Sequence, residues 1–158
     1  MEKAKKIKVI ITSVLLGLTL AFIWGNSMLS MQESGEESQS IYSIVETIGK
    51  IFFGEAFTHD FFRKLAHFSE FFLLGLEINY LYFVLHGVKK EKLAEIISAG
   101  LFVAVIDESI QILSNRGAMV KDVLIDYSGY LLSVGAFFLL LYIIKLIKNK
   151  KIKSVKQN

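Results

Sequence analysis

Three separate stretches of this chain place ionisable side chains at helical spacing. Arg63, Lys64, His67 and Glu70 form the first, Asp107, Glu108 and Gln111 running into Arg116 form the second, and Asp122 and Asp126 form the third. Imidazole is the side chain whose unperturbed titration falls near neutrality, so His67 is the natural proton carrier of the set. Carboxylates beside it can accept that proton, hold a cation or bind a cationic group. Arginine and lysine suit carboxylate or phosphate, arginine in a bidentate fork.

Spacing sorts these groups onto faces. Arg63, His67, Glu70, Leu74 and Glu77 follow alternating steps of four and three and so share one helix face. Asp107 and Gln111 are four apart, with Glu108 turned about 100° away around the axis. Asp122, Asp126 and Gly129 share a face of the third stretch. Five acids (Glu70, Asp107, Glu108, Asp122, Asp126) stand against four firm cations (Arg63, Lys64, Arg116, Lys121), so a mutually neutralising network is feasible.

Two blander readings compete with a functional one. Glu70 and Glu77 could equally set helix register, and Arg63, Lys64 and Lys121 could snorkel to a water interface. Three acids at one level, Asp107, Glu108 and Asp122, are harder to explain by packing alone. A metal reading would join His67 and Glu70, at i,i+3, to Asp107 and Glu108. One histidine among carboxylates, in a chain without cysteine, is a weak ligand signature, so neither a metal nor another cofactor is expected. G-x-S-x-G, Walker A and H-E-x-x-H patterns are all absent, and no catalytic residue is assigned.

The elements that must position these groups are apolar blocks. Of the 158 residues 53% are hydrophobic, and they concentrate at about 7–29, 65–85, 93–113 and 123–147. Each block can cross a hydrocarbon core, which takes about 20 residues. The expected fold class is therefore an all-α membrane protein with four transmembrane helices in a single domain over 1–158. Thirteen of the 18 Lys and Arg residues lie at or before the start of the first block, between the second and third, and from the end of the fourth through the tail. That bias predicts both termini in the cytoplasm and the ionisable cluster near the outer leaflet. An intramembrane charge costs about 2.5–3.5 kcal/mol on insertion scales, which makes such a cluster a functional-site hypothesis. The basic tail reads as a topology anchor on anionic lipid, and no nucleic-acid module accompanies it. The long first block has no small-x-small site after it, which argues against a cleaved signal peptide.

The loop after the first block reads as flexible and polar over 31–40. A short amphipathic helix should follow, with Ile41, Ile44, Val45, Ile48 and Phe52 on one side. That side faces either the outer membrane surface or the bundle. The second span should begin near Phe61 or Leu65 and end before Gly87. Its short turn to the third predicts that these two are antiparallel neighbours. Gly129, Ser133 and Gly135 in the fourth read as packing residues.

The stretch R-K-L-A-H-F-S-E-F-F-L-L-G-L, followed by D-E-S-I-Q-I-L-S-N-R-G-A-M-V-K-D-V-L-I-D-Y-S-G, resembles the VanZ-like family over about residues 8–145. The matching positions are Arg63, Lys64, His67, Glu70, Gly75, Asp107, Glu108, Gln111, Arg116, Asp122 and Gly129. Asp126 departs from the family pattern, which usually has Asn there, and the loop before Arg116 lacks the usual Pro-Gly. The resemblance implies a link to low-level resistance to teicoplanin, a lipidated glycopeptide, in Gram-positive bacteria. It supplies a phenotype and a set of positions but no reaction. The expectation is an outward-facing polar site of Arg63, Lys64, His67, Glu70, Asp107, Glu108, Gln111, Arg116, Asp122 and Asp126 that takes a membrane lipid or lipid-linked amphiphile. Rival expectations are a membrane enzyme acting on a lipid or cell-wall precursor, and a structural membrane subunit.

Overall fold

The computed structural model describes residues 2–115 and 119–157. Among them run α1 (Glu2–Met28), α2 (Met31–Phe53), α3 (His59–His86), α4 (Leu93–Leu113) and α5 (Val120–Gln157), with single 3-10 turns at Gly54–Ala56 and Lys90–Lys92. α1, α3, α4 and the Val120–Lys150 part of α5 are each long and apolar enough to cross a membrane. These are the four blocks expected from the sequence, and at 1.5 Å per residue even the shortest spans about 31 Å.

The ends are set by local chemistry. α3 starts at His59, earlier than expected, because the Thr58 hydroxyl accepts from the Phe61 backbone N–H and caps it. It stops at Gly87, as expected, where φ is +71°. The stretch 31–40, expected as a flexible loop, is instead the first half of α2. Ser30 and Glu33 form a capping box, each side chain receiving a hydrogen bond from the other's backbone N–H. Its serines add bonds inside the helix, with Ser38 and Ser40 donating to the carbonyls of Ser34 and Glu36. Composition suggested a loop, and capping overrode it. On the second half of α2, Ile41, Ile44, Ile48, Ile51 and Phe52 are exposed, whereas Tyr42 is buried beside Phe57.

The four long helices form a ring in which α3 packs chiefly on α5 and α1, and α4 likewise on α5 and α1. α3 and α4, expected as neighbours, touch only lightly and so lie across the diagonal. The reason is close approach elsewhere. A methyl group on Gly129 would sit 2.2 Å from the Phe68 carbonyl oxygen, so the α5 backbone rests directly on α3. One turn further, Gly75 of α3 receives Ser133, and Gly100 of α4 receives the ring of Tyr130. Small residues let membrane helices approach in this way. Tyr130 is fully buried and donates from its hydroxyl to the Ile96 carbonyl at 2.6 Å, joining α5 to α4. Around it cluster Ile23, Phe71, Leu74, Ile78, Ile96, Ala104 and Val134. Gly129 and Ser133 are thus packing residues as expected, while Gly135 meets nothing within 4 Å.

Lys5 donates to the Leu85 carbonyl at 3.0 Å, which sets the basic start of α1 beside the end of α3. The ionisable stretches lie toward the opposite end of the bundle. Gly129→Ala should lower the thermal stability of purified protein in nanodiscs by about 1–3 kcal/mol, as overpacking does, while Gly135→Ala should leave it unchanged. Equal melting of the two variants would contradict the α3–α5 contact.

Candidate functional site

The helix ring brings one acid or base from each of three helices to a single point. His67 of α3, Asp107 of α4 and Asp126 of α5 each offer one donor atom, and these atoms lie within 4.8 Å of one another. The Gly129–Phe68 approach accounts for two of them. His67 precedes Phe68, and Asp126 lies one turn before Gly129, so the backbone contact draws the two side chains together. Asp107 is 0% exposed and Asp126 2% exposed.

Asp107 is held from two sides. The Ser27 hydroxyl of α1 donates to Oδ1 at 2.6 Å, and Gln111 Nε2 donates to Oδ2 at 2.9 Å. The Gln111 contact was legible from the i,i+4 spacing. Ser27, itself fully buried, was not singled out for the site. Its one signal was a polar residue closing an apolar block on the side where the other ionisable groups cluster. Asp126 receives no side-chain hydrogen bond from any described residue. His67 Nδ1 stands 3.5 Å from Glu70 Oε2, close enough for an ion pair but without hydrogen-bond geometry, and both atoms are otherwise unpartnered.

The remaining expected residues divide. Glu108 Oε1 accepts from the Met119 backbone N–H at 2.7 Å, so this acid clasps the start of the α5 segment, while its buried Oε2 is unpartnered. Asp122 is half-buried in the first turn of α5 with Oδ1 unpartnered. Lys64 pairs with Asp60 at 2.6 Å along an exposed edge of α3 and leaves the cluster. Lys121 is exposed. Arg116 lies outside the described residues. Glu77 accepts from Thr19 of α1 at 3.0 Å, deeper in the bundle. Among the described residues, then, Lys64 and Lys121 take no part in the neutralising network read from charge counting. Among the described residues no lysine or arginine lies within ion-pair distance of Asp107, Glu108, Asp122 or Asp126.

A cleft of about 140 Å³ between α1, α2 and α3 opens onto the same point. Its walls combine apolar Phe22, Leu29, Ile41 and Phe62 with Asn26, Glu37, Arg63, His67 and Glu70. His67 thus belongs both to the cleft wall and to the group it forms with the buried acids. α2, expected in part as a flexible loop, supplies one wall, and its Ser38 hydroxyl is 2.8 Å from His59 Nε2 at the start of α3.

Chemically, the arrangement offers an imidazole and two buried carboxylates with an approach lined by apolar groups, the Arg63 guanidinium and the carboxyl groups of Glu37 and Glu70. It can hold a cation or move a proton, and it can meet an amphiphile through the cleft. The metal set suggested by sequence was His67, Glu70, Asp107 and Glu108. The geometry keeps His67 and Asp107, substitutes Asp126, and commits one Glu108 oxygen to the connection. No curated protein and no solved structure matches this chain. A family model, VanZ/LLP1, matches residues 9–143, which is most of the chain and contains every residue of the cluster. The protein is therefore a four-span membrane protein of the VanZ/LLP1 family.

Proposed function

We propose that this protein sits in the cell membrane with both termini in the cytoplasm and binds the headgroup end of a lipid or lipid-linked amphiphile at the outer leaflet. The observation that carries this reading is the cleft of about 140 Å³ whose lining mixes apolar Phe22, Ile41 and Phe62 with the charged or titratable Glu37, Arg63, His67 and Glu70. Sites for whole small molecules run to roughly 300–1,000 Å³. A space this size takes part of an amphiphile, and the rest stays in the bilayer. Arg63 would engage an anionic group, Phe22, Ile41 and Phe62 would flank the first carbons, and His67 would link the ligand to Asp107 and Asp126. The exposed isoleucines of α2 support an interfacial helix whose apolar side dips into the outer leaflet and whose other side closes the cleft.

In this reading the family's association with teicoplanin follows from the lipid tail of that antibiotic. The protein would lower the antibiotic's effect either by capturing the amphiphile or by altering the lipid in which it anchors. A second reading, an enzyme acting on a lipid or cell-wall precursor with His67 as general base, is favoured by the convergence of His67 with two carboxylates. It predicts chemical turnover of lipid by the purified protein.

Expression in a susceptible Gram-positive host should raise the teicoplanin concentration needed to stop growth and leave vancomycin, which lacks the acyl chain, unaffected. Arg63→Gln should abolish most of the effect at equal membrane abundance. Loss of a charge-assisted contact is worth about 1.5–3 kcal/mol, roughly 10- to 150-fold in affinity. Asp107→Asn should do the same. Full protection by both variants would remove the cluster from the function. The absence of cysteine makes topology directly testable. In whole cells Ser40→Cys should react with a membrane-impermeant maleimide, and Lys89→Cys should react only after permeabilisation. The reverse pattern would overturn the orientation.

A further inference from the structure

The buried carboxylates pose an electrostatic problem that the described residues do not solve. Asp107 and Asp126 are 0% and 2% exposed, their oxygens converge, and no lysine or arginine among the described residues pairs with either. Two like charges at this distance in a low-dielectric interior repel strongly. Asp107 has its donors, Ser27 and Gln111. Asp126 has no hydrogen bond from a described residue, yet it is aimed at the point where His67 and Asp107 meet. A buried carboxylate that takes no hydrogen bond from a described residue and points at an imidazole and a second carboxylate is the arrangement that ligands of a cation adopt.

We infer that His67, Asp107 and Asp126 form a divalent-metal site joining α3, α4 and α5. One nitrogen and two carboxylate oxygens match the three protein ligands of an open site, and the two negative charges balance the ion. Around an ion with bonds of about 2.1 Å, tetrahedral ligand atoms lie about 3.4 Å apart. The donors, now within 4.8 Å, close by about 1.4 Å at most, which rotation of the His67 and Asp126 side chains can supply. Asp107 is already oriented by Ser27 and Gln111, as metal-ligating carboxylates are. A mixed imidazole and carboxylate set without thiolate suits Mn²⁺, Fe²⁺ or Zn²⁺. The remaining coordination positions would take water or an oxyanion. This deepens the site of the proposed function, but it needs no lipid to be bound.

The test uses full-length protein in nanodiscs, purified without a polyhistidine tag and with His59→Gln and His86→Gln, so that His67 is the sole imidazole. Mn²⁺ is added, bound metal is counted after desalting, and pulsed electron paramagnetic resonance reads nitrogen coupling. The expected result is one Mn²⁺ per chain with imidazole nitrogen coupling. Asp126→Asn should weaken binding more than about 100-fold, and Ser27→Ala, which frees Asp107, about 10- to 100-fold. Glu77→Gln should bind as the parent does. No retained Mn²⁺ would overturn the site, as would Mn²⁺ without nitrogen coupling or an Asp126→Asn variant with unchanged affinity. Because the parent protein alone reports the coupling, the result stands even if Asp126→Asn fails to fold. Metal binding with no effect on teicoplanin would reject the proposed function and leave the site intact. Protection without metal would do the opposite.

Discussion

The α5 backbone at Gly129 lies directly on the Phe68 carbonyl of α3, and the rest of the architecture follows from that contact. A side chain at Gly129 would hold the two helices apart. With glycine there they close, and the closure propagates along the helix pair. In one direction it seats Ser133 in the space left by Gly75 and lets Tyr130 press its ring on Gly100 of α4. In the other it brings Asp126 to His67. The same approach that builds the apolar core therefore builds the polar centre, and α3 and α4 are left on opposite corners of the ring.

Closing the bundle around carboxylates creates a requirement that lipid cannot meet, since hydrocarbon offers no hydrogen bonds. Every buried oxygen must find a donor, an ion or a proton from within. Asp107 recruits Ser27 from α1 and Gln111 from its own helix, so the first span is fastened to the site by a buried side-chain hydrogen bond at 2.6 Å. Glu108 uses the Met119 backbone and so fastens the segment leading into α5. What these bonds leave over includes His67 Nδ1 and one oxygen each of Glu70, Glu108 and Asp122, toward the end of the bundle where the cleft opens. Deeper groups are met only in part: Asn79 donates to Gly75 and Glu77 accepts from Thr19, while Asn79 Oδ1 and Glu77 Oε2 are unpartnered.

The four spans were legible because each is a block of apolar residues longer than a soluble core helix needs, and α4 coincides with its expected limits. The shared face of His67 and Glu70, and the Asp107–Gln111 pair, were legible from helical spacing. Three things were not. The first half of α2 looked like a loop because Ser, Glu and Gly dominate it, and only the reciprocal Ser30–Glu33 bonds show why it is helical. The neighbour order failed because a short turn constrains helix ends and not which faces of the helices meet. The partners of the acids among the described residues were not legible either, because charge counting ignores local bonds: Lys64 pairs with Asp60 on its own helix, and one Glu108 oxygen accepts the Met119 backbone N–H.

Depth discriminates between binding at a surface and passage through the membrane. His67 is eight residues into α3, and Asp107 and Asp126 are each six residues from the near end of their helices. At 1.5 Å per residue the convergence point lies about 9–12 Å below the helix ends. α3, with 28 residues, is about 42 Å long against a hydrocarbon core of about 30 Å, so about 6 Å of it extends into each interface. By that measure the centre lies only a few ångströms inside the hydrocarbon boundary, at the depth where a lipid headgroup meets its first carbons. A transport path would need polar groups continuing to the far side. Beyond Glu77 and Asn79, which bond in part to Thr19 and Gly75, the described interior is mostly Ile78, Ile96, Tyr130 and Val134, with Thr12 bonded to the Lys8 carbonyl of its own helix. Among the described residues the charged groups therefore gather toward one end of the bundle, which is the placement that the proposed binding of an amphiphile's polar end requires.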